Sequence, residues 1–455
     1  MAVRLLHYSD VETALDDPLR SGALAGTIDT LADAETIVVG SGDNTAPGAL
    51  SLATEGKAAM SFFDAVSPVA DTFGNHDFDF GHARARELAA AAPQQWLCAN
   101  AEYEGGRFAA DETEPRLLVS VGDATVGIVG VAHPQTDEIN PAASAVTFTD
   151  PVPAVRTQAA RLRDSGANHV VVVSHCGRGD DRIARETGVD AVLGGHIHDV
   201  HQEVVDGTAV VRPGRAGRYV SEVRLGGRPE IRMHEVSDEH RDDELVATLR
   251  ECLSTHGLDE VVATVEGEIE RTEETVTVAE SRVGNFVTDA MRWRAGADVA
   301  LSPPGAIRSG DPLTGEVTVA DLVGLAPYRD RLAVVELPGD RLRDAFVAVP
   351  FGYHNDGSPD RHCSHVSGAE LVWDDDGGEL LDARVDGEPL DPDERYTLAA
   401  ADYLVETDHV NGAFDEDDVI ARHGVARDAI VDYAREVGIA PRLEGRIERP
   451  TLQRQ

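Results

Sequence analysis

Apolar and polar positions alternate along the first half of the chain in a repeating rhythm. Short β-rich apolar runs occur at Val3–Leu6, Thr36–Val39, Val69–Phe73, Val126–Val131, Val170–Val173 and Ala191–Leu193. They are too short for helices and are bounded by turn residues, so they predict strands. Stretches with helical spacing lie between them, around Thr54–Val66, Gly81–Ala91 and Val152–Arg163. This alternation predicts an α/β domain with helices packed on a sheet. After about Leu225 the pattern changes. Ser237–His256 predicts an exposed acidic helix that serves as a connector. Beyond it, helices are expected at Asn285–Ala295, Gly339–Ala348 and Ala426–Glu436, and strands at Leu332–Leu337 and Ala369–Trp373. The expected organisation is a first domain over residues 1–235, a helical linker over 236–260 and a second, α+β domain over 261–447.

The loops at the strand ends of the first domain carry the chemistry. The first run leads to Ser9-Asp10-Val11-Glu12 and the second to Gly42-Asp43-Asn44. The third leads to Gly74-Asn75-His76-Asp77-Phe78-Asp79. The run at Val170 leads to His175, and the run at Ala191 to Gly195-His196-Ile197-His198. Ligands in α/β sheets bind beyond the carboxyl ends of the strands, so these loops should converge on one edge. Asp10 or Asp43 alone reads equally well as a helix cap or turn residue. His196 and His198 are alternate residues, which share a face if the segment is extended. Taken together, the mixed oxygen and nitrogen donors suit divalent ions such as Mn, Fe, Co or Zn. Seven candidates (Asp10, Glu12, Asp43, Asn75, His175, His196 and His198) are too many for one tetrahedral ion and suit two. Two ions roughly 3.5–4 Å apart can polarise a phosphoryl group and draw a nucleophile from water at neutral pH.

Composition adds a constraint. Acidic residues outnumber basic ones 82 to 40, for a formal charge of −42, and Lys57 is the one lysine. Such a surface looks like that of a halophile's cytosolic protein. It argues against nucleic-acid polymers and anionic membranes as partners, since both select clustered Lys and Arg. A small anionic substrate remains compatible, provided metal ions reverse the field locally. No apolar stretch reads as a signal peptide or a membrane span, and a cytoplasmic location is expected. Cys98, Cys176, Cys252 and Cys363 are widely spaced and form no Cys-x-x-Cys pair, so free thiols are expected.

The ordered set Asp10, Gly42-Asp43, Gly74-Asn75-His76-Asp77, His175 and Gly195-His196-x-His198 resembles the calcineurin-like metallophosphoesterases. The continuation Phe78-Asp79, with the second region, is similar to the 5′-nucleotidase, UDP-sugar hydrolase and 2′,3′-cyclic phosphodiesterase group. That resemblance implies a metallophosphoesterase β-sandwich flanked by helices, followed by a 5′-nucleotidase-type substrate domain. It implies Asp43 shared by both ions, Asp10, Glu12 and His198 on the first, and Asn75, His175 and His196 on the second. His76 would act at the phosphate, held by Asp79. The family carries Asp-x-His in the first cluster, and Glu12 stands here in the histidine's place. His7, His82, His133 and His201 match no family position and are expected to be bystanders.

In the second region, Glu280-Ser281-Arg282-Val283-Gly284-Asn285 through Arg292, then Ile307-Arg308 and Pro327-Tyr328, resemble the family's substrate domain. By that resemblance Tyr328 and Tyr403 would sandwich a base and Arg308 would contact the substrate. The glycine-rich loops of the family are rewritten here as Ser302-Pro303-Pro304-Gly305-Ala306 and Glu406-Thr407-Asp408-His409. The implied activity is hydrolysis of nucleotide phosphate esters, most simply a nucleoside 5′-monophosphate. A cyclic-nucleotide or nucleotide-sugar phosphodiesterase, and a nucleotide-binding protein that has lost catalysis, are the alternatives.

Overall fold

The computed structural model describes residues 3–303, 305–348, 364–374, 379–407 and 411–450. They form two compact units, Met1–His256 and Gly257–Gln455.

Two sheets make the first unit. One orders its strands Glu230–Glu235, Tyr219–Leu225, Val3–Tyr8, Thr36–Gly40, Ala70–Thr72, Gln95–Leu97 and Thr113–Glu114. The other runs Val200–Val205, Thr208–Pro213, Ala191–Gly194, His169–His175, Ala124–Ala132 and Arg116–Val121. Leu5, Ile37, Val39 and Ala70 of the first sheet share one core with Val126, Ile128, Val171, Val173 and Leu193 of the second. The alternate residues Val170, Val172, Val129 and Val131 point the other way, onto Val155, Ala159, Leu162 and Ile183 of the helices Pro151–Asp164 and Asp180–Thr187. Both faces of this sheet are therefore dry, which is why its strands read as unbroken apolar runs. The expected sandwich flanked by helices is what forms.

The expected elements are present, with two differences. Thr54–Val66 is not one helix but the junction of Ala49–Thr54 and Ala59–Val66. Glu55 and Gly56 take φ of 51° and 82°, a left-handed stop that ends the first helix. The acidic connector is also not a free helix. Asp243–Thr255 buries Leu245, Val246, Leu249 and Leu253, and it packs on the helix Pro18–Leu31 within the first unit. The Leu-Val-x-x-Leu-x-x-x-Leu spacing supplies that apolar stripe, and the acids occupy its outer face.

The second unit is α+β. Its larger sheet orders His365–Ser367, Val299–Ser302, Arg395–Ala401, Arg331–Pro338 and Val419–Val425; a smaller one contains Glu379–Val385 and Ala369–Asp374. Leu301, Val335, Leu337, Phe346, Trp373 and Leu398 are among the residues of its core. Residues 375–378, Cys363, Asp408 and His409 lie outside the described residues, and Cys98, Cys176 and Cys252 are free thiols. Among the described residues no helix is long and apolar enough to cross a membrane.

Candidate metal centre

Val3–Tyr8, Thr36–Gly40 and Ala70–Thr72 are parallel neighbours, as are His169–His175 and Ala191–Gly194 in the facing sheet. Their carboxyl-end loops meet. Asp10, Glu12, Asp43 and His196 all take positive φ, at 50°, 47°, 53° and 74°. For side-chain-bearing residues this conformation costs roughly 1–3 kcal/mol each and persists only where surroundings enforce it. The enforcement is visible. Asp10 N–H donates to Gly42 O at 3.1 Å, and Glu12 N–H to Asp43 O at 3.3 Å. The Asp77 carboxylate accepts from Asp43 N at 2.9 Å, Gly74 N at 2.8 Å and the Thr45 hydroxyl at 2.6 Å. Buried Asp71 accepts from Gly42 N at 3.0 Å and Thr72 N at 2.9 Å.

The side chains so placed form overlapping groups of potential ion donors. Asp10, Glu12 and His198 make one, Asp10, Asp43 and His175 a second, and Glu12, Asp43 and His76 a third. His198 Nε2 lies 3.3 Å from Glu12 Oε1 and 3.7 Å from Asp10 Oδ1. His175 Nε2 lies 3.0 Å from Asp43 Oδ2 and 4.0 Å from Asp10 Oδ1. His196 Nδ1 meets Asn75 Oδ1 at 2.9 Å, and His76 N–H donates to Asp43 Oδ1 at 2.7 Å. His76 Nδ1 is 3.1 Å from both Asp79 oxygens. All nine residues expected at the metal and phosphate are thus brought to one place.

His175 tests whether this donor set fits a cation. Its Nδ1 donates to Ser41 O at 2.7 Å, which turns Nε2 toward the carboxylates. Nε2 is buried 3.0 Å from Asp43 Oδ2 and forms no well-aligned hydrogen bond. A metal-bound histidine shows the same arrangement, the far nitrogen donating to a carbonyl and the near one kept for the ion. The donor set fits a divalent ion.

Electrostatics give the same reading. Asp10, Glu12 and Asp43 are at most 2 % exposed. Burial raises Asp10 to about 6, and His175 and His198 reverse that only in part. At Asp43 burial also acts upward but is outweighed by His175 and His76, leaving it at about 2. Burial alone would lower His175, yet Asp43 and Asp10 drive it up to about 10. Burial, then Asp77, raises Asp71 to about 7; burial, then Asp43, raises Asp77 to about 6. Carboxylates packed this closely call for positive charge.

The structure corrects some expectations. Gly195–His198 is a bent turn and not an extended strip, with Ile197 N–H closing onto Gly195 O at 2.9 Å. His196 and His198 therefore reach different neighbours. His7 bridges Ser221 Oγ at 2.9 Å and Ser41 Oγ at 2.8 Å, supporting the residue whose carbonyl holds His175. His133 stacks on His196 with ring centres 4.8 Å apart. His82 packs on Tyr103, and His201 lies 3.8 Å from Glu203. Sequence reasoning passed over Asp71, although a single acid inside the apolar run Val69–Phe73 is itself a signal.

In the second unit the Arg308 guanidinium sits 6.0 Å from the Tyr328 ring centre, and the Tyr328 hydroxyl donates to Gly305 O at 3.1 Å. Tyr403 lies on the helix Asp402–Glu406, partly buried against the core.

Comparison with known proteins agrees with this architecture. Residues 3–200 match the calcineurin-like phosphoesterase family, and residues 261–415 match the 5′-nucleotidase C-terminal domain. An apyrase of Tabanus yao is 25% identical over 406 residues, covering 75% of this chain and 71% of that protein. A snake venom 5′-nucleotidase of Crotalus adamanteus is 23% identical, covering 86% of this chain and 77% of its own length. A 5′-nucleotidase precursor of Thermus thermophilus superposes with a TM-score of 0.85 at 23% identity, over 99% of this chain and 100% of that one. The sulfate thiohydrolase SoxB of the same organism superposes with a TM-score of 0.79 at 21% identity, over 98% of this chain and 96% of that one. These structural likenesses show the fold and leave the ester open. The chain thus joins a calcineurin-like phosphoesterase domain over residues 3–200 to a 5′-nucleotidase C-terminal domain over residues 261–415.

Proposed function

We propose that the chain hydrolyses nucleotide phosphate esters, most simply a nucleoside 5′-monophosphate to nucleoside and phosphate, using two divalent ions. The observation that carries this reading is the buried His175 Nε2, turned inward among the overlapping groups that Asp10, Glu12 and Asp43 link. Asp10, Glu12 and His198 would hold one ion, and Asn75, His175 and His196 the other, with Asp43 shared. When bound, such ions supply positive charge to the phosphoryl oxygens and acidify water at neutral pH. The protein's own part is positional and protonic. Asp79 accepts from His76 Nδ1, fixing the tautomer, so that Nε2 serves the phosphate or the departing oxygen. The curated relatives named 5′-nucleotidase and apyrase support a nucleotide as substrate. Arg308, Tyr328 and Tyr403 are the residues we assign to substrate contact, with aromatic faces suited to any flat base. The charge of −42 supports a working environment of high salt.

The test is phosphate release by the full chain at high salt with Mn, Co, Zn or Mg. The substrates are a nucleoside 5′-monophosphate, a 2′,3′-cyclic nucleotide, a nucleotide sugar and an aryl phosphate. Turnover of the monophosphate above the others is expected. Absence of turnover with every ion and substrate would sink the hydrolase reading, and preference for a diester would replace the monoesterase assignment.

A further inference from the structure

The pair His76–Asp79 has a third member that the sequence did not reveal. Asn140 follows the short helix Thr136–Ile139 and precedes Pro141, an arrangement that keeps its backbone extended, with φ −120° and ψ 105°. Its side-chain oxygen accepts from Ala142 N–H at 3.0 Å. Its Nδ2 donates to Asn75 O at 2.8 Å and to Asp79 Oδ1 at 2.8 Å. This assignment of oxygen and nitrogen is the one the surroundings allow. A flipped amide would set its NH2 against the Ala142 N–H and its oxygen against a carbonyl and a carboxylate. Both amide hydrogens are thus committed to the loop that carries Asn75, His76 and Asp79. Among the described residues the Asp79 carboxylate has two hydrogen-bond partners, His76 and Asn140.

We propose that Asn140 is a positioning residue for His76, acting through Asp79. The inference rests on the hydrolase reading above, in which His76 serves the phosphate. Asp79 is not deeply buried; its side chain is 19% exposed and that of His76 18%. A partly exposed carboxylate held by the histidine alone keeps side-chain freedom that a second donor removes. Asn140 supplies that hold with a neutral donor. It holds the Asp79 carboxylate at Oδ1, one of the two oxygens that His76 Nδ1 also meets, and anchors the Asn75 carbonyl with its second hydrogen. The imidazole is thereby aimed from two points on one rigid loop. A carboxylate at position 140 could not do this, since it would face two acceptors.

Two variants separate this role from simple support. Asn140→Asp keeps a capping oxygen for Ala142 and removes both donors; Asn140→Ala removes the donors without adding charge. Each is measured in the full chain, loaded with the ion that gives the highest turnover, by phosphate release from adenosine 5′-monophosphate and by metal content. Partners that orient a metal-bound histidine typically contribute about 10–100-fold; on the same scale kcat should fall by about 10-fold or more with KM and metal content unchanged. In a His76→Ala background the same substitutions should cost less than about 3-fold, because the group they aim is gone. Full rate in both Asn140 variants, an equal loss in the His76→Ala background, or loss of metal would each overturn the proposal. If His76→Ala itself kept full rate, the assignment of His76 would fail, and the Asn140 role with it. A His76→Ala enzyme that is impaired beside unimpaired Asn140 variants would sink this inference alone.

Discussion

Gly74→Ala offers a direct test of how tightly the metal-facing loops are packed. A Cβ added at Gly74 would lie 2.1 Å from Asp43 Oδ1 and 2.6 Å from its Cγ. The backbone at Gly74 is not in the left-handed region, so alanine meets no conformational penalty there and the collision alone is tested. Asp43 cannot simply yield. Its Oδ1 accepts from His76 N–H at 2.7 Å, and its own N–H is held by Asp77 at 2.9 Å. Turning the carboxylate away orphans the His76 N–H, at about 1–3 kcal/mol. The remaining overlap adds about 1–3 kcal/mol, typical of overpacking. A loss of roughly 2–6 kcal/mol is expected, which lowers the melting temperature of a unit this size by on the order of 10 °C. Gly227→Ala is the control, because a Cβ there meets nothing within 4 Å. The assay is thermal unfolding of both variants with and without added Mn, together with metal content after gel filtration. Gly74→Ala should melt lower and retain less metal. If the two variants matched in both readouts, the placement of the Asp43 carboxylate against Gly74 would be wrong.

Other consequences arise from the same geometry. His76→Ala should lose about 10²–10⁴-fold in kcat and keep its metal, whereas Asp43→Ala should lose both, as read by phosphate release and metal analysis. Glu222 is 1% exposed, and although its burial acts upward, Arg224, His234 and Arg4 hold its carboxyl down at about 2 against an ordinary 4.5. Because the folded value is the lower one, its stabilisation is complete above about pH 4.5 and is lost as pH falls toward 2. The gap corresponds to at most about 3 kcal/mol. Urea titrations at pH 7 and pH 3 should show Glu222→Gln with a flatter pH dependence than the parent, and equal slopes would refute the linkage. With a charge of −42, raising KCl from 0.1 M toward 1 M shortens the screening length from about 10 Å to about 3 Å. The unfolding midpoint should rise over that range, and a flat response would remove self-repulsion from the account.

What the sequence disclosed of this site, and what it withheld, divides along a physical line. Asp10, Asp43, Asn75, His175 and His196 were legible because parallel strands release their loops at one edge, so residues far apart in sequence share a predictable position relative to the nearest apolar run. The sandwich was legible for a related reason: Val170–Val173 is apolar on both faces and can only be covered twice. Contacts between loops leave no such trace. Asn140 meets Asp79 across 61 positions and His7 meets Ser221 across 214, and neither pairing imposes any period on the chain. The left-handed turn at His196 defeated the extended reading of His196-x-His198 because a single φ does not alter composition. Glu12 shows the two kinds of information joining. In the sequence it is an isolated departure, a second acid where the family places a neutral ring. In the structure Arg215 stands beside it, with Nη1 3.9 Å from Glu12 Oε2 and 3.3 Å from His198 Nδ1. Position 215 belongs to another loop, so only the fold shows that the added negative charge is met by a positive one. The fold thus supplies the countercharge to Glu12 that its own stretch of sequence lacks.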